Sequence, residues 1–525
     1  MSKFRYILVQ VLIGIAFLVI VGRLVQFQII EGRKHAAAVK SNSQSNTPDV
    51  PRGEIVDRNE KVLALDLTRY TLEYNPVICN EDRTQLISRL QEIINLKNPQ
   101  LLYRKSSQTL AQNLSKEQAN KIRKLHSKLL YVRKVRTRFY PQGTHASHII
   151  GYVDTYGKAR QGMESKYEKL LHDHPEQKLE LSIDSRVQVF AERVLEERLK
   201  ETKASRGTVI VMSVKTGEIV AWAVLPSFDP NKYYNYPFES IKNWSLVDVY
   251  QPGSVFKIIT VSSALDSETI DASYKFTDPG YLEVDKHRIK NHDYVAGKTR
   301  SAELGLQQLF ERSSNPFAAH LAVKTGAETF YQYIRKFGFA RKTGIELDGE
   351  SKGILEQWNK WRRLDTATTG IGQGSISVTP LQLIVAVNVV ANGGNRVRPT
   401  LRKISKVESE EIETESVLKL ETANLVRELL AASIQTNTTT RFSVAGKIPG
   451  LAVAGKTGTA QKANAGGGYS HSSTIASFIG FYPATNPKFI TLVVIDDPKA
   501  DGGWGDTVAG PVFNKVASYV RDLYL

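Results

Sequence analysis

The residues of this chain with the clearest chemical potential are a serine and a lysine three positions apart, Ser254 and Lys257. If both lie on a helix, positions i and i+3 share one face, so the lysine amine can reach the serine hydroxyl and act as its base. Pro252 and Gly253 predict a turn just before them, and residues 255–265 are mostly apolar. We therefore expect Ser254 in the first turn of a helix, where free N–H groups and the helix dipole stabilise developing negative charge.

Spacing alone does not identify an active site, because the same pair recurs at Ser416 and Lys419. That copy lies in a charged stretch and is interpreted as a solvated helix face. A serine–lysine pair indicates an acyl-transfer site only when its partner motifs occur elsewhere in the chain. The rest of the sequence therefore decides what the pair at Ser254 means.

A second candidate group begins 59 residues after Ser254, with Ser313 and Asn315 directly before Pro316. Asparagine favours the N-cap of a helix and proline its first position, so Asn315 is predicted to cap a helix. In the functional interpretation, Ser313 relays a proton and Asn315 binds a substrate amide. Capping and substrate binding do not exclude each other, and both interpretations stay open.

A third candidate group is the run Lys456-Thr-Gly-Thr459. The same triplet starts at Lys215, Lys324 and Lys342, which we predict to lie in a hairpin turn, at a helix end and in a basic turn. Only the run at Lys456 lies among small residues, as an edge strand requires if a ligand is to approach its backbone. Its lysine and hydroxyls are suited to hold a carboxylate, and one of its N–H groups could face that of the serine in an oxyanion hole.

The composition is that of a globular protein with two or three domains: 525 residues, 41% hydrophobic and 23% charged. A net charge of +17 suits an anionic membrane surface or polyanions. No basic run interleaved with aromatic residues stands out, so no nucleic-acid partner is expected. Cys79 is the single cysteine, which excludes an internal disulfide. His145 and His148 have a metal-like spacing, but no third ligand stands near them, so no metal site is expected.

The N-terminus predicts a membrane anchor over residues 1–30. Residues 6–22 are apolar apart from Gln10, Lys3 and Arg5 precede them, and the apolar pattern continues past Arg23 to residue 30. Such a segment can cross a bilayer with its short basic tail inside, which places the rest of the chain outside the cytoplasm. The competing interpretation is a signal peptide cleaved at the alanines 36–38, which lie too far beyond the apolar stretch for the usual geometry.

Two further segments are predicted after the anchor. Residues 31–178 show no catalytic constellation and are interpreted as a non-catalytic pedestal or dimerisation-type module, with a helical, basic pattern between residues 80 and 137. Residues 179–525 begin and end with strands and are helical between them, which predicts an α+β domain whose antiparallel sheet is completed by segments far apart in sequence. Its predicted elements are a helix at 181–203, strands at 207–214 and 218–224, mainly helices over 254–390, strands at 476–482 and 489–495, and a helix from about 511.

The order Ser-x-x-Lys, Ser-x-Asn and Lys-Thr-Gly matches the motif set of the penicilloyl serine transferases. Over almost its whole length the chain resembles a class B penicillin-binding protein, a peptidoglycan D,D-transpeptidase. Further segments that carry the resemblance are Gly22-Arg-Leu-Val-Gln26, Arg52-Gly-Glu-Ile-Val-Asp-Arg-Asn59, Gly372-Gln-Gly374 and Val378-Thr-Pro-Leu-Gln382. The Ser-x-Asn form, with Lys456-Thr-Gly-Thr-Ala-Gln461 and Phe481-Tyr-Pro483, resembles the division-specific FtsI-type branch more than the elongation branch.

The chain departs from the family pattern at four places. The family often has an Asn-Arg pair near Trp244-Ser245 and a glutamate where Gln251 stands. Pro316 is unusual after the Ser-x-Asn motif, and Ser375 replaces a common glutamate. These departures leave the three motifs intact and bear on the choice of branch.

The resemblance implies an antiparallel, β-lactamase-like sheet flanked by helices and a catalytic set of Ser254, Lys257, Ser313 and Lys456. Ser254 would attack the carbonyl of a D-Ala-D-Ala bond, and Lys257, deprotonated by burial and neighbouring cations, would take its proton. Ser313 would return the proton to the leaving D-alanine, and the amine of a second stem peptide would resolve the acyl-enzyme. No metal or cofactor is implied.

The resemblance also implies a binding set. Asn315 would hold a substrate amide, and Thr457, Gly458 and Thr459 would line the site of the terminal carboxylate together with the motif lysine. The backbone N–H groups of Ser254 and Thr459 would form the oxyanion hole.

The implied partners are peptidoglycan stem peptides, β-lactam antibiotics that acylate the serine, and a SEDS-type glycan polymerase with other division membrane proteins. The implied location is the inner (cytoplasmic) membrane, with a single pass and a periplasmic or otherwise extracytoplasmic catalytic domain. Alternatives are an elongation-specific transpeptidase, a membrane-anchored D,D-carboxypeptidase or serine β-lactamase, and a division scaffold with secondary catalysis. A bifunctional enzyme with a glycosyltransferase is disfavoured, because the first 178 residues carry no acidic catalytic set.

Overall fold

The computed structural model describes residues 14 and 17, 51–76, 81–296, 298 and 299, 301–435, 446–463 and 469–525. Residues 51–525 form one compact unit. The predicted anchor, residues 1–30, falls outside the described residues except for Gly14 and Phe17. Among the helices in the described part of the chain, none is long and apolar enough to cross a membrane.

A five-stranded sheet organises the N-terminal part of this unit. Its path is β3-β2-β1-β7, and β4 also pairs with β2, whereas β5 and β6 form a separate hairpin. The strands are β1 (Ile55–Val56), β2 (Val62–Tyr74), β3 (Gln108–Leu114), β4 (Leu130–Phe139), β5 (Tyr152–Val153), β6 (Ala159–Gln161) and β7 (Leu179–Glu180). The helices are Arg83–Ile93, Lys116–Arg123, Ser147–Ile150, Gly162–Lys166 and Glu168–Asp173, with a 3-10 helix at Pro99–Tyr103.

The prediction of a mainly helical segment between residues 80 and 137 was wrong. Two helices lie there, but β3 and most of β4 do as well. The basic strand β4 pairs with β2 along its whole length, from Leu65 opposite Phe139 to Tyr74 opposite Leu130. Pairing with a distant strand determines the secondary structure of this segment. The local pattern of charges does not reveal such pairing.

A buried ion network ties the turn at Arg52 to this sheet. Glu164 is fully buried and accepts from Arg52 Nε at 2.7 Å and from Arg138 Nε at 2.6 Å. Arg138 also contacts Asp66 at 3.1 Å. Buried charges are tolerated only when they are paired and hydrogen-bonded. The segment that begins at Arg52 therefore has a structural role.

A second five-stranded antiparallel sheet, in the order β18-β19-β20-β8-β9, forms the centre of the C-terminal part. Paired short strands accompany it. The strands are β8 (Arg206–Ser213), β9 (Ile219–Leu225), β10 (Phe276–Asp278), β11 (Tyr281–Val284), β12 (His287–Lys290), β13 (Ala302–Leu304), β14 (Ile354–Leu355), β15 (Ile376–Ser377), β16 (Asn395–Val397), β17 (Thr414–Ser416), β18 (Ala454–Ala463), β19 (Tyr469–Tyr482) and β20 (Phe489–Asp496).

Both faces of this sheet are covered by apolar side chains. Along β8, Ile210 and Met212 belong to the core on one face, and Val209 and Val211 belong to the core on the other. This alternation follows from the two-residue period of a strand. A sheet buried on both faces explains why the centre of β8, Val209 to Met212, and the whole of β9 are apolar instead of alternating with polar residues.

Helices fill the rest of this part, and some of them, such as Ser185–Thr202 and Gly510–Tyr524, pack directly on the sheet. The α-helices of this part that the structure describes are Ser185–Thr202, Phe238–Ile241, Trp244–Val247, Lys257–Asp266, Leu306–Arg312, Asn315–Thr325, Ala327–Lys336, Arg363–Gly370, Pro380–Ala391, Lys406–Glu410, Leu420–Gln435, Gly505–Val508 and Gly510–Tyr524. The helix Lys257–Asp266 is buried on all sides. Its serines satisfy their hydroxyls by donating back along the helix, Ser262 to the Ile258 carbonyl and Ser263 to the Ile259 carbonyl, each at 2.7 Å.

The prediction of an α+β domain with a sheet completed by distant segments is confirmed, because β18 to β20 pair onto β8 and β9. The predicted boundary at residue 178 stays a prediction. It falls beside β7, which still pairs in parallel with β1 of the first sheet.

Candidate active site

Ser254 lies in a short 3-10 helix, Gly253–Phe256, and the α-helix proper begins at Lys257. Ser254 thus lies in the first helical turn, as predicted, and the structure shows that this turn is 3-10 and not α-helical. In a 3-10 helix, side chains at i and i+3 eclipse each other, so the tighter turn still aligns the two residues. Ser254 is half-buried, whereas Lys257 is fully buried.

The side chain of Lys257 connects the first motif to the second. Its Nζ lies 2.5 Å from the carbonyl oxygen of Ser313, 3.1 Å from the Ser313 hydroxyl and 2.7 Å from Asn315 Oδ1. These three acceptors match the three N–H donors of an ammonium group. The structure thus brings Lys257, Ser313 and Asn315 together.

Backbone geometry at Ser313 presents these acceptors. Ser313 ends the helix Leu306–Arg312 in the left-handed conformation, with φ 51° and ψ 44°. For a non-glycine residue this conformation is sparsely populated, and such residues concentrate at functional sites. The carbonyl of this residue accepts from Lys257, which accounts for the unusual turn.

The next helix begins one residue earlier than predicted. Its N-cap is Ser314, whose hydroxyl accepts from the Phe317 N–H at 3.1 Å, and Asn315 is the first helical residue. The prediction that Asn315 caps the helix was therefore wrong. Because Ser314 serves as the cap, the Asn315 side chain is free to accept from Lys257 and to donate to the Lys290 carbonyl at 2.9 Å.

The third motif lies on β18, the edge strand of the sheet, as predicted. Lys456 and Gly458 are buried, whereas Thr457 and Thr459 are half-buried. The hydroxyl of Thr459 accepts from the Gly505 N–H at 3.1 Å, a contact that the sequence did not indicate. This hydroxyl retains its own O–H as a donor.

Gly458 allows β18 to pack against the turn that carries the serine. A Cβ at this position would lie 2.4 Å from Ser477 Oγ, 2.9 Å from Val255 Cγ2 and 3.2 Å from the Pro252 carbonyl oxygen. At Gly253, with φ +58°, a Cβ would lie 2.9 Å from the Thr459 carbonyl oxygen. The first and third motifs are therefore in direct contact through positions that leave no room for a side chain.

The two lysines of the site are both buried, and Lys456 disfavours the charged form of Lys257. Burial, followed by repulsion from Lys456, lowers the pKa of Lys257 well below its ordinary value, while Asp278 opposes this shift. Burial lowers the pKa of Lys456 to about 7, opposed by Asp506. A lysine whose amine is neutral near pH 7 can accept a proton from a serine hydroxyl.

The duplicate motifs lie elsewhere. Ser416 belongs to β17 and not to a helix as predicted, and Lys419 contacts Glu268. Lys215 lies in the turn between β8 and β9, as predicted. Lys324 is close to the end of its helix, as predicted, and Gly326 caps that helix with φ +86°.

Two other sequence features also have local partners. His145 Nδ1 contacts Glu192, and His148 Nε2 lies 2.9 Å from the Ser240 carbonyl oxygen, so the two imidazoles face different groups. Burial lowers the pKa of His148 to about 4. These contacts give both histidines a structural role.

Two of the four departures from the family pattern have local contacts that the structure identifies. Ser245 accepts from Trp222 Nε1 at 2.8 Å, and Arg206 stacks on Trp244 with its guanidinium carbon 4.4 Å from the ring centroid. Gln251 donates to the Gly374 carbonyl at 3.4 Å. These contacts lie beside the motifs without replacing any motif residue.

Several residues at the site were missed by sequence reasoning. Asp278 and Asn291 support the second motif, and the His292 and Trp504 rings lie 5.8 Å apart between the segments that carry Asn291 and Gly505. Asp278 precedes proline and glycine, so it reads as an ordinary turn residue. Nothing in its local sequence signals a contact with a residue 36 positions away.

Comparisons with known proteins agree with this arrangement. Residues 207–518 match the penicillin binding protein transpeptidase domain, and residues 47–212 match the penicillin-binding protein dimerisation domain. The chain is similar to stage V sporulation protein D of Bacillus subtilis, at 31% identity over 97% of this chain and 83% of that protein. It is also similar to the peptidoglycan D,D-transpeptidase FtsI of Escherichia coli K12, at 27% identity over 96% of this chain and 89% of that protein.

A solved structure supports the fold. The crystal structure of penicillin binding protein 3 from Mycobacterium tuberculosis superimposes with a TM-score of 0.70 at 23% identity, covering 90% of this chain and 96% of that one. The resemblance to a serine-type transpeptidase is confirmed by the domain match and by the named relatives. With a dimerisation module followed by a transpeptidase domain, the chain belongs to the class B penicillin-binding proteins.

Proposed function

We propose that this peptidoglycan D,D-transpeptidase cross-links stem peptides through an acyl-enzyme on Ser254, in septal wall synthesis during division. The observation that carries the mechanistic part is the contact of the buried Lys257 amine with Ser313 and Asn315, beside the serine turn and β18. The observation that carries the septal part is the Ser-x-Asn form of the second motif, together with FtsI-type names among the relatives.

The proton path follows from the donor count at Lys257. A neutral amine has two N–H donors and one lone pair, so it keeps the Ser313 carbonyl and Asn315 Oδ1 and offers its lone pair to a hydroxyl. Ser254 Oγ forms a bond to the carbonyl carbon of the penultimate D-alanine, and its proton passes to the amine. The bond from that carbonyl carbon to the nitrogen of the last D-alanine then breaks. Ser313, whose hydroxyl is 3.1 Å from Nζ, delivers its proton to this nitrogen and takes in exchange the proton that Lys257 received from Ser254, so that Lys257 is again neutral.

The second half of the reaction reverses these steps. The amine of a neighbouring stem peptide attacks the ester carbonyl, the bond to Ser254 Oγ breaks, and the amine proton returns to the serine through Lys257. The N–H groups of Ser254 and Thr459 stabilise the oxyanion in both halves; removal of one such donor typically costs about 100- to 1000-fold in rate. Protonated Lys456, with Thr457, Gly458 and Thr459, holds the terminal carboxylate, and Asn315 holds a substrate amide.

The location of the enzyme is part of the proposal. Residues 1–30 anchor it in the cytoplasmic membrane with the catalytic domain on the outer side, because their apolar length and basic tail suit one crossing. A SEDS-type glycan polymerase supplies the strands that are cross-linked. Protease added to intact spheroplasts should digest the catalytic domain, and protection of that domain would contradict this orientation.

The catalytic part is tested by product analysis with the full-length protein and a pentapeptide-bearing glycan. Wild type should release D-alanine and form cross-linked dimers in equal amounts, and Ser254→Ala should do neither. Release of D-alanine without dimers would instead favour the D,D-carboxypeptidase alternative. The matched control is Ser416→Ala, which changes the same residue type in the duplicate pair and should leave both products unchanged.

The septal part is tested by depletion in the source cell. Filaments with smooth sides are expected when septal cross-linking stops, whereas rounded cells would favour the elongation alternative. Complementation with Ser254→Ala separates a scaffold from an enzyme. Restoration of division by that variant would show that catalysis is secondary.

A further inference from the structure

We propose that Asp278 is a positioning residue for this reaction, which fixes the Ser313–Asn315 turn against Lys257 and supplies the negative charge that faces this lysine. The inference rests on the roles proposed above for those three residues. Asp278 belongs to none of the three motifs and is the last residue of the short strand β10.

The carboxylate of Asp278 is buried and accepts three hydrogen bonds. Its Oδ1 accepts from the Gly280 N–H at 2.7 Å. Its Oδ2 accepts from the Ser314 hydroxyl at 2.6 Å and from Asn291 Nδ2 at 3.0 Å. Asp278 is 2% exposed and Ser314 is fully buried, so these bonds are shielded from water and strong.

Each donor to Oδ2 holds a different part of the second motif. Ser314 lies between the two motif residues and caps the helix that starts at Asn315. Asn291 uses its Oδ1 to accept from the backbone N–H of Asn315 at 2.9 Å. Asp278 therefore restrains the turn both through the middle residue and through the amide of the last one. All three acceptors of Lys257 lie on Ser313 and Asn315, the two ends of that turn.

An aspartate that only closed a turn would need just one of these three hydrogen bonds. The Oδ1 bond to Gly280 closes a short Asx turn, which is the usual role of aspartate before proline and glycine. The two bonds at Oδ2 reach residues 13 and 36 positions away and contribute nothing to that turn. Their common target is the second motif.

The negative charge of Asp278 also opposes the effect that the positive charge of Lys456 has on Lys257. Lys456 is the cation that acts on Lys257, Asp278 is the anion, and Ser313 and Asn315 are its neutral contacts. Asp506 has the corresponding effect on Lys456, whose pKa it raises against the effect of burial. Asp278 thus raises the pKa of a base that burial and Lys456 lower. Its removal should make Lys257 easier to deprotonate while loosening the turn that Lys257 holds.

The test measures the rate of acylation by a fluorescent penicillin between pH 5 and 9, with the purified full-length protein. Asp278→Asn should lower the plateau rate by about tenfold to a hundredfold, as expected for loss of precise positioning. Its acid limb, where the rate falls as Lys257 is protonated, should shift to lower pH. Ser314→Ala keeps the charge, so it should lower the plateau and leave the acid limb in place.

The matched control is Asp271→Asn, which removes a carboxylate from the same stretch. Asp271 is exposed and, among the described residues, its carboxylate accepts hydrogen bonds only from Ser273, so rate and pH profile should match wild type. A wild-type plateau in Asp278→Asn, or a lowered plateau with an unmoved acid limb, would overturn the inference. If Asp278→Asn fails to fold, a wild-type rate in Ser314→Ala overturns the positioning role. Failure of the proposed function is distinct, because wild type itself would then not be acylated.

Discussion

Replacing Gly458 by alanine should slow acylation strongly while leaving the protein folded. The added Cβ would lie 2.4 Å from Ser477 Oγ, 2.9 Å from Val255 Cγ2 and 3.2 Å from the Pro252 carbonyl oxygen. Ordinary contact between carbon atoms needs about 3.5 Å, so β18 and the serine turn must separate by roughly half an ångström even if the Ser477 hydroxyl rotates away. Such overpacking costs about 1–3 kcal/mol of stability.

The larger effect should be on the rate. The turn carries Ser254 and the strand carries Thr459, so the separation widens the proposed oxyanion hole and moves Lys456 away from Lys257. A displacement of about 1 Å can cost about a hundredfold in rate, and we expect a loss of tenfold to a hundredfold here. The assay measures the second-order rate constant for acylation of the full-length protein by a fluorescent penicillin. A thermal melt of the same protein reports its stability.

Two variants make the test specific. Gly480→Ala introduces a Cβ 2.7 Å from Phe513 Cζ, on the other face of the sheet, so it should lower the melting temperature without changing the rate of the folded enzyme. Gly458→Ala combined with Ser477→Ala removes the shortest contact and should recover part of the rate. Equal rate losses in Gly480→Ala and Gly458→Ala, or a wild-type rate in Gly458→Ala, would refute the reasoning.

Three further predictions follow from other parts of the structure. Burial lowers the pKa of Lys456 to about 7, so its charge is present below that pH and lost above it. KM for a carboxylate-terminated donor peptide should therefore rise as pH increases through 7, and a flat KM profile would contradict this. Glu164→Gln removes the charge that pairs Arg52 and Arg138, and should cost about 3–5 kcal/mol in denaturant unfolding with an unchanged acylation rate once folded. Ser416→Ala should match wild type in both measurements, and a loss of labelling would reopen the duplicate motif as a site.

The ordered motifs were predictable because each is defined by residue types at fixed spacing. The order of the three groups indicated acyl transfer before any contact was known. Glycine and small residues around Lys456 correctly indicated an edge strand. Strands of the catalytic sheet were also predictable, since β8, β9 and β20 are apolar runs bounded by turns.

The local sequence pattern could not predict features that depend on contacts between residues far apart in the chain. Ser314 and Asn315 are both good N-cap residues, and the structure selects Ser314 because its hydroxyl also reaches Asp278. The left-handed backbone at Ser313 has no glycine to signal it. In the first module, β4 is a strand because β2 pairs with its whole length.

The central claim is that Ser254 is the acylated nucleophile, and intact-mass analysis with peptide mapping tests it most directly. Full-length wild type incubated with a penicillin should gain one adduct, carried by the peptide that contains Ser254. Ser254→Ala should gain none, while its melting temperature stays near that of wild type. An adduct in Ser254→Ala, or one mapped to Ser313, would contradict the account.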